Sequence, residues 1–375
     1  MPPYGTNATE EASPGSPVTI VPDVERIAIL RGNALGDLVM ALPALDALRR
    51  TYPQAEITLF GRAHHQALLG DGRPSPVDRV VVLPHGAIGD ETEPEAGLDR
   101  RALLASFAAD AYDLAIQLHG GGRNSNGFVR ALGARVTVGS RTPDAPALDR
   151  WVPYEPYQWE VARYLEVVAL VGARAHQLEP HLDVTAADRY AAVDALPDLG
   201  DAPYVVLHPG ASDPRRRWSV KRFARVARAA QGRGRRPVIT GTPEERELTS
   251  ALAADVGDSV CPALIADRLS LSALLGLLAG ADVVVSNDTG PLHLAMAAGT
   301  RTVGLFWIGN LINAGPLTRA RHRPHVSWRL SCPVCGVSAT APRCAHDDSW
   351  VDDIETDAVV ASVERLLEDV AWTTR

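Results

Sequence analysis

Short apolar runs bounded by polar loops recur along the chain, and longer segments of helical period separate them. Residues 26–30, 56–60, 79–83, 114–118 and 135–138 are runs of the kind found in strands buried on both faces. Residues 38–50, 98–109 and 127–132 carry apolar positions at helical spacing. Pro43 falls inside the first of these, which predicts either a kink or a later true first turn. Strands alternating with helices predict a parallel sheet wound on both faces. Residues 141–156 are rich in Pro, Asp and Trp and read as loop, and residues 158–171 as an amphipathic helix.

The alternation then pauses and restarts. Segments 180–184 and 195–203 read as a linker. Strands follow at 204–207, 237–240, 281–285 and 302–306. Helices follow at 219–231, 243–255, 271–278 and 291–298, with a last one near 355–370. A chain of 375 residues is too long for one ordinary core. The expected architecture is therefore α/β, with two Rossmann-like, doubly wound parallel-sheet domains facing each other across a cleft.

Composition narrows the class. Hydrophobic residues make up 46% of the chain, but no apolar run reaches the roughly 18 residues of a membrane span. Residues 1–24 read as a disordered tail, and without a basic start or apolar core this is no signal peptide, so a cytoplasmic location is expected. A net charge of −8 argues against a nucleic-acid partner. Four cysteines are too few for a disulfide scaffold.

Candidate chemistry sits in the loops that follow strands. Ligands of open α/β sheets bind there. The turn Ser286-Asn287-Asp288-Thr289-Gly290 opens a helix, so its N–H groups offer an anion seat that Asp288, Thr289 and His293 can reach. A merely well-capped helix is the other reading. The loop Gly32-Asn33-Ala34-Leu35-Gly36-Asp37 has neither a dinucleotide nor a P-loop fingerprint. Its Gly36 lets backbone approach a ligand, and Asp37 either faces the cleft or simply stabilises the helix start. The loop from His208 to Trp218 holds three consecutive arginines, and Arg216 and Arg217 suit phosphate oxygens unless the run is a solvated face. Arg123 and Asn124, in the Gly-rich loop from His119, suit a polyhydroxylated or anionic ligand, or else form a plain turn. Cys332, Cys335, Cys344 and His346 can make a structural zinc site; free thiols and a Cys332–Cys335 or Cys335–Cys344 disulfide are the alternatives.

Together these loops resemble glycosyltransferase family nine, the ADP-heptose heptosyltransferases of bacterial surface polysaccharides such as lipopolysaccharide. The matching residues are Gly36-Asp37 with Leu42-Pro43-Ala44-Leu45, His208-Pro209-Gly210-Ala211 with Arg217-Trp218, and the run from Ser286 through His293 to Ala295. The resemblance runs from about Arg26 to the C-terminus. It implies a GT-B fold with an acceptor domain over 25–185, a nucleotide-sugar domain over 200–354 and a helix over 355–375 crossing back to the first domain. It implies that Asp37 is the catalytic base and that Asp288, Thr289, Gly290 and His293 hold the donor diphosphate. Arg216 stands where family members commonly carry a lysine. The implied reaction is an inverting transfer of heptose or a similar sugar from an ADP-sugar, with no catalytic metal or other cofactor. The acceptor would be an envelope glycan, a lipid-linked glycan or a small molecule, with peripheral membrane contact left open. A GT-B epimerase or hydrolase of a nucleotide-sugar, or a non-catalytic binding protein, is the alternative.

Overall fold

The computed structural model describes residues 19–70, 72–89, 95–257 and 269–373. The expectation of a disordered tail falls largely on residues outside these, and so does Cys261, which the sequence offers only as a small buried residue. In the first half the elements are β1 (Arg26–Leu30), α1 (Leu35–Thr51), β2 (Glu56–Gly61), α2 (Ala63–Leu69), β3 (Arg79–Val82), α3 (Arg100–Ala108), β4 (Leu114–Gln117), α4 (Ser125–Ala131), β5 (Val136–Arg141), β6 (Arg150–Pro153) and α5 (Glu160–Ala169). The strands pair in parallel in the order β3-β2-β1-β4-β5-β6. The order reverses between β1 and β4, so the loops after those two strands flank the crevice where such sheets bind ligands.

The second half holds α6 (Ala186–Ala195), β7 (Tyr204–His208), α7 (Val220–Gly232), β8 (Arg236–Ile239), α8 (Arg246–Val256), α9 (Leu271–Gly280), β9 (Val283–Asn287), α10 (Gly290–Ala297), β10 (Thr302–Trp307), α11 (Ile308–Ala314), β11 (His322–Ser327) and α12 (Thr356–Thr373). Its parallel sheet has the order β11-β10-β9-β7-β8. The switch point lies between β7 and β9, whose following loops carry His208 to Arg217 and Asp288 to Gly290. Among the described residues, no helix is long and apolar enough to cross a membrane.

Several elements differ from expectation. Helix α1 starts at Leu35 and carries Pro43 buried within it, giving up one backbone hydrogen bond. Part of the expected loop 141–156 is strand β6, paired with β5 from Val138 opposite Arg150. At four residues, ending in proline on a sheet edge, β6 is too short to show a period. Strand β11, His-Arg-Pro-His-Val-Ser, is masked by its polar residues, and α6 interrupts the expected linker. The final helix was expected to cross back to the first domain. Instead its buried Val359, Val363, Leu366 and Leu367 join Phe223, Val226 and Val285 in the core of the second sheet. It packs on α7 and against β9 and β10, and its Ser362 bonds His325 of β11 at 3.0 Å.

The two halves meet along α1 and α10, and one apolar core runs from Ile27 and Leu45 of the first to Val284 and Leu294 of the second. A buried ion pair adds a fixed point. Arg73 donates bidentately to Asp188 of α6 at 2.8 Å through each nitrogen, and Ser272 of α9 donates to the same carboxylate at 2.5 Å. Burial alone would raise the Asp188 carboxyl, but these bonds and those from Thr185 hold it well below the usual carboxylate range.

Candidate active site

A cavity of about 640 Å³ lies between the carboxyl ends of the two sheets. The first half contributes Gly36 and Asp37, and the second contributes His208, Arg216, Arg217, Asp288, Thr289, Gly290 and His293. These residues span more than 250 positions of sequence, and only the meeting of the two sheets gathers them.

Asp37 sits in the first turn of α1, where its Oδ2 accepts from the Ala34 N–H at 3.2 Å. Its Oδ1 lies 2.9 Å from Nη2 of Arg31, and the side chain is 37% exposed. It is thus both a helix-start residue and a carboxylate open to the cleft. Arg31 is fully buried, donates to the Leu118 carbonyl at 2.6 Å and stacks 4.9 Å from the Tyr164 ring. Burial opposes the Arg31 charge, but Tyr164, Asp37 and Glu160 outweigh it and raise its pKa. A buried, permanently charged guanidinium therefore fixes the orientation of Asp37.

Asp288 is 5% exposed and fully satisfied. His293 Nε2 lies 3.0 Å from Oδ1, Asn310 donates to Oδ2 at 2.5 Å, and Arg216 Nη1 approaches Oδ2 at 3.5 Å. Burial pushes the Asp288 carboxyl up, but the bond and charge of His293, with Asn310 and Arg216, bring it below its ordinary value. Thr289 is the N-cap of α10, and its side chain makes no capping bond to the helix. Its hydroxyl turns back to Ser286 and to the Asn287 carbonyl, both at 3.2 Å. The first-turn N–H groups of α10 thus lack a side-chain cap, as an anion seat requires. Nδ1 of His293 is buried without a partner in the protein.

The arginine loop is fixed at both ends. Trp218 is buried, with its N–H on Asn287 Oδ1 at 3.1 Å and its indole on the Ile354 carbonyl at 3.1 Å. Arg216 also donates to Ser212 at 2.9 Å, and Arg217 to the Ala211 carbonyl at 2.9 Å. His208 is buried 3.2 Å from Thr240 Oγ1; burial lowers its pKa and the charge of Glu245 partly opposes this.

Not every expected residue reaches the cavity. Arg123 is exposed and paired with Asp144, and Asn124 precedes α4; neither lines the cavity. His119 is occupied, its Nδ1 accepting from the Gly32 N–H at 3.1 Å. Conversely, Arg31, Glu160, Glu245 and Asn310 went unsingled. Glu245 Oε2 accepts from Thr242 N–H at 2.9 Å, and Gly210 leaves it room, since a Cβ there would fall 2.1 Å from Oε1. The pairing of Gly210 in the strand-end loop with Glu245 in the next one was the available signal.

The ligand atoms of Cys332, Cys335, Cys344 and His346 lie within 4.8 Å of one another. Edges of a tetrahedral zinc site with Zn–S near 2.3 Å are roughly 3.8 Å, so small movements would close it. No disulfide joins Cys332, Cys335 and Cys344. The Cys335 N–H, then Val334, pull the Cys332 thiol down to about 7 against burial. Nδ1 of His346 is buried without a protein partner, as a ligand atom awaiting a metal would be.

Residues 100–330 match the family model described as glycosyltransferase family 9 (heptosyltransferase). Lipopolysaccharide heptosyltransferase 1 of Pseudomonas aeruginosa is 32% identical over 342 residues, covering 88% of this chain and 91% of that protein. The solved glycosyl transferase family 9 structure from Veillonella parvula aligns with a TM-score of 0.75 at 20% identity, over 94% of this chain and 100% of that one. The structure of Escherichia coli ADP-heptose LPS heptosyltransferase II aligns with a TM-score of 0.73 at 21% identity, over 92% and 99%. The two structures share this fold.

Proposed function

The chain belongs to glycosyltransferase family 9 and is a glycosyltransferase. On that premise we propose that it transfers a heptose or similar sugar from an ADP-sugar to a hydroxyl, with inversion and without a catalytic metal. The observation that carries this reading is the shared cavity: Asp37 of the first half faces Arg216 and the uncapped N-terminus of α10 in the second. Residues 25–185 form the acceptor lobe and residues 200–354 the donor lobe. The acceptor is a glycan, lipid-linked or small molecule, and the reaction runs on the cytoplasmic side.

The donor diphosphate lies across Arg216 and the Thr289-Gly290 N–H groups, with His293 behind them. Asp288 orients rather than binds, because its two oxygens are already taken by His293, Asn310 and Arg216. The acceptor oxygen attacks the anomeric carbon on the face opposite the diphosphate. Its proton passes to Asp37 as the new C–O bond forms, and the bond to the diphosphate oxygen breaks. Positive charge and aligned N–H groups stabilise the departing diphosphate. Arg31 keeps the Asp37 carboxylate aimed throughout.

The cysteine cluster holds a structural zinc, outside the chemistry. Cys332, Cys335, Cys344 and His346 supply three thiolates and an imidazole, a set that zinc binds in closed sites. The reading is tested by calorimetric titration with ADP-, UDP-, GDP- and dTDP-sugars, followed by product stereochemistry with an added acceptor. Preferential binding of an ADP-sugar and an inverted glycoside, formed with no divalent metal added to the reaction, is the expected result. Hydrolysis or epimerisation without transfer would overturn it.

A further inference from the structure

The segment 328–352 has little regular structure and is held internally by a few turn bonds, among them the Cys332 N–H to the Val337 carbonyl at 2.8 Å and the Ala339 N–H to the Leu330 carbonyl at 2.9 Å. Among its residues there is one isolated bridge, Ser331 opposite Ser338, and no helix or longer strand. Leu330, Val334 and Val337 are exposed, and burial is confined to Cys332 and to Trp350 and Val351 at its end, where Val351 joins the core of the second sheet. Segments of this kind are ordinarily fixed by a metal or a disulfide.

This segment nevertheless supports the arginine loop. Arg215 and Arg216 lie in a single 3-10 turn, Pro214–Arg216, whose internal bonds are those of the Arg216 and Arg217 N–H groups, both at 3.0 Å. The Arg215 carbonyl of this turn and the Arg217 carbonyl just after it point to the cysteine segment. The Trp350 N–H donates to the Arg215 carbonyl at 2.7 Å, and the Ser349 hydroxyl donates to the Arg217 carbonyl at 2.6 Å. Arg343, next to Cys344, lies 3.6 Å from Asp213, which itself grips Arg215 at 2.6 Å. The Arg215 guanidinium stacks 5.5 Å from the Trp350 ring. Ser349 is three residues beyond His346, so a short stretch of chain links the cluster to the contact, while the Trp350 ring also packs 5.3 Å from Trp307.

We propose that the cysteine–histidine cluster sets the grip on the donor: tied by its metal, it holds Ser349 and Trp350 against the arginine loop and so keeps Arg216 in the cleft. Ser349 and Trp350 are positioning residues that act through Arg216. The inference rests on the metal and donor readings above, and its test separates the three.

The full-length protein is assayed for metal by elemental analysis, then stripped with a chelator. Two readouts follow, amide hydrogen exchange over residues 213–219 and calorimetric affinity for ADP. Both are taken on the wild type, Ser349→Ala and Arg216→Ala. Stripping should speed exchange at Arg216 and Arg217 and weaken ADP binding by about tenfold, the lower end of what a charged hydrogen bond is worth. Ser349→Ala with its metal retained should reproduce part of both effects. In Arg216→Ala, stripping should weaken ADP binding no further, because both changes remove the same contact. Unchanged exchange and affinity after demonstrated metal loss would overturn the proposal. Equal weakening in Arg216→Ala would overturn it too, by showing general loosening. Protein that purifies without metal would refute the metal reading, and Ser349→Ala would then decide the positioning role alone. Wild type that does not bind ADP would refute the donor reading, and hydrogen exchange would decide.

Discussion

Gly36 is where the two halves come closest beside the proposed chemistry. A Cβ built on it would fall 2.8 Å from Cδ2 of His293. Ordinary carbon contacts lie near 3.5–4.0 Å, so Gly36→Ala demands about 0.7–1.2 Å of extra room. The ring cannot swing away cheaply, since His293 is buried and bonded to Asp288 at 3.0 Å. A sideways slide has little room, because Leu35 packs so close to Gly290 that a Cβ added there would fall 3.0 Å from it. The halves must therefore separate at the cleft, which moves Asp37 away from the donor site. Overpacking of this size costs about 1–3 kcal/mol of stability. A displacement near 1 Å can cost about 10²-fold in turnover. Steady-state kinetics should show kcat reduced on the order of 10²-fold while calorimetric ADP affinity changes little. In a His293→Ala background, which removes the obstructing ring, Gly36→Ala should cost far less. Wild-type kcat in Gly36→Ala would refute the argument, because the observed approach of α1 to α10 would then be irrelevant to the reacting state.

Three further outcomes follow from the same geometry. Asp37→Asn keeps the shape but removes the basic oxygen, and should lower kcat by roughly 10²–10⁴ with donor affinity nearly intact; near-normal turnover with a genuine acceptor would leave Asp37 a helix-start residue only. Arg216→Ala should weaken donor use by about 1.5–3 kcal/mol, with partial recovery in Arg216→Lys, as read from kcat/KM. Arg73→Ala strands the buried Asp188 carboxylate and should cost about 3–5 kcal/mol in urea denaturation at neutral pH. Because the folded pKa of Asp188 is depressed, its contribution is present above the unfolded value near 3.9 and fades as pH falls below that. Wild-type stability should therefore drop below about pH 4, and Arg73→Ala should lose this share of the acid sensitivity.

Much of the architecture was legible because its signals are local. A strand buried on both faces is a continuous apolar run, and β1, β2, β4, β7, β9 and β10 were all expected within a few residues of where they lie. The elements missed had weak local signals. Strand β6 has four residues, β11 is half polar, and α6 sits where the chain seemed to be linker. The final helix illustrates another limit: its apolar stripe announces that one face is buried, but not which sheet buries it.

The site divides the same way. Sequence by itself determined the two α/β halves, the strand-end loops and the residue types in them, since each depends on neighbours a few positions apart. It also carried Asp37, Arg216, Asp288 and the four clustered ligands as candidates. Tertiary structure decided the rest. Arg31 is adjacent in sequence to the loop it serves, yet only burial against Leu118 and Tyr164 makes it the support of Asp37. Arg216 meets Asp288 across 72 positions, and Ser349 meets Arg217 across 132. Arg123 shows the converse, a suitable residue in a suitable loop that turns outward to Asp144. Residue chemistry is written locally, but which groups share a cavity depends on how two separately wound sheets are set face to face, and that depends on the packing of α1 on α10.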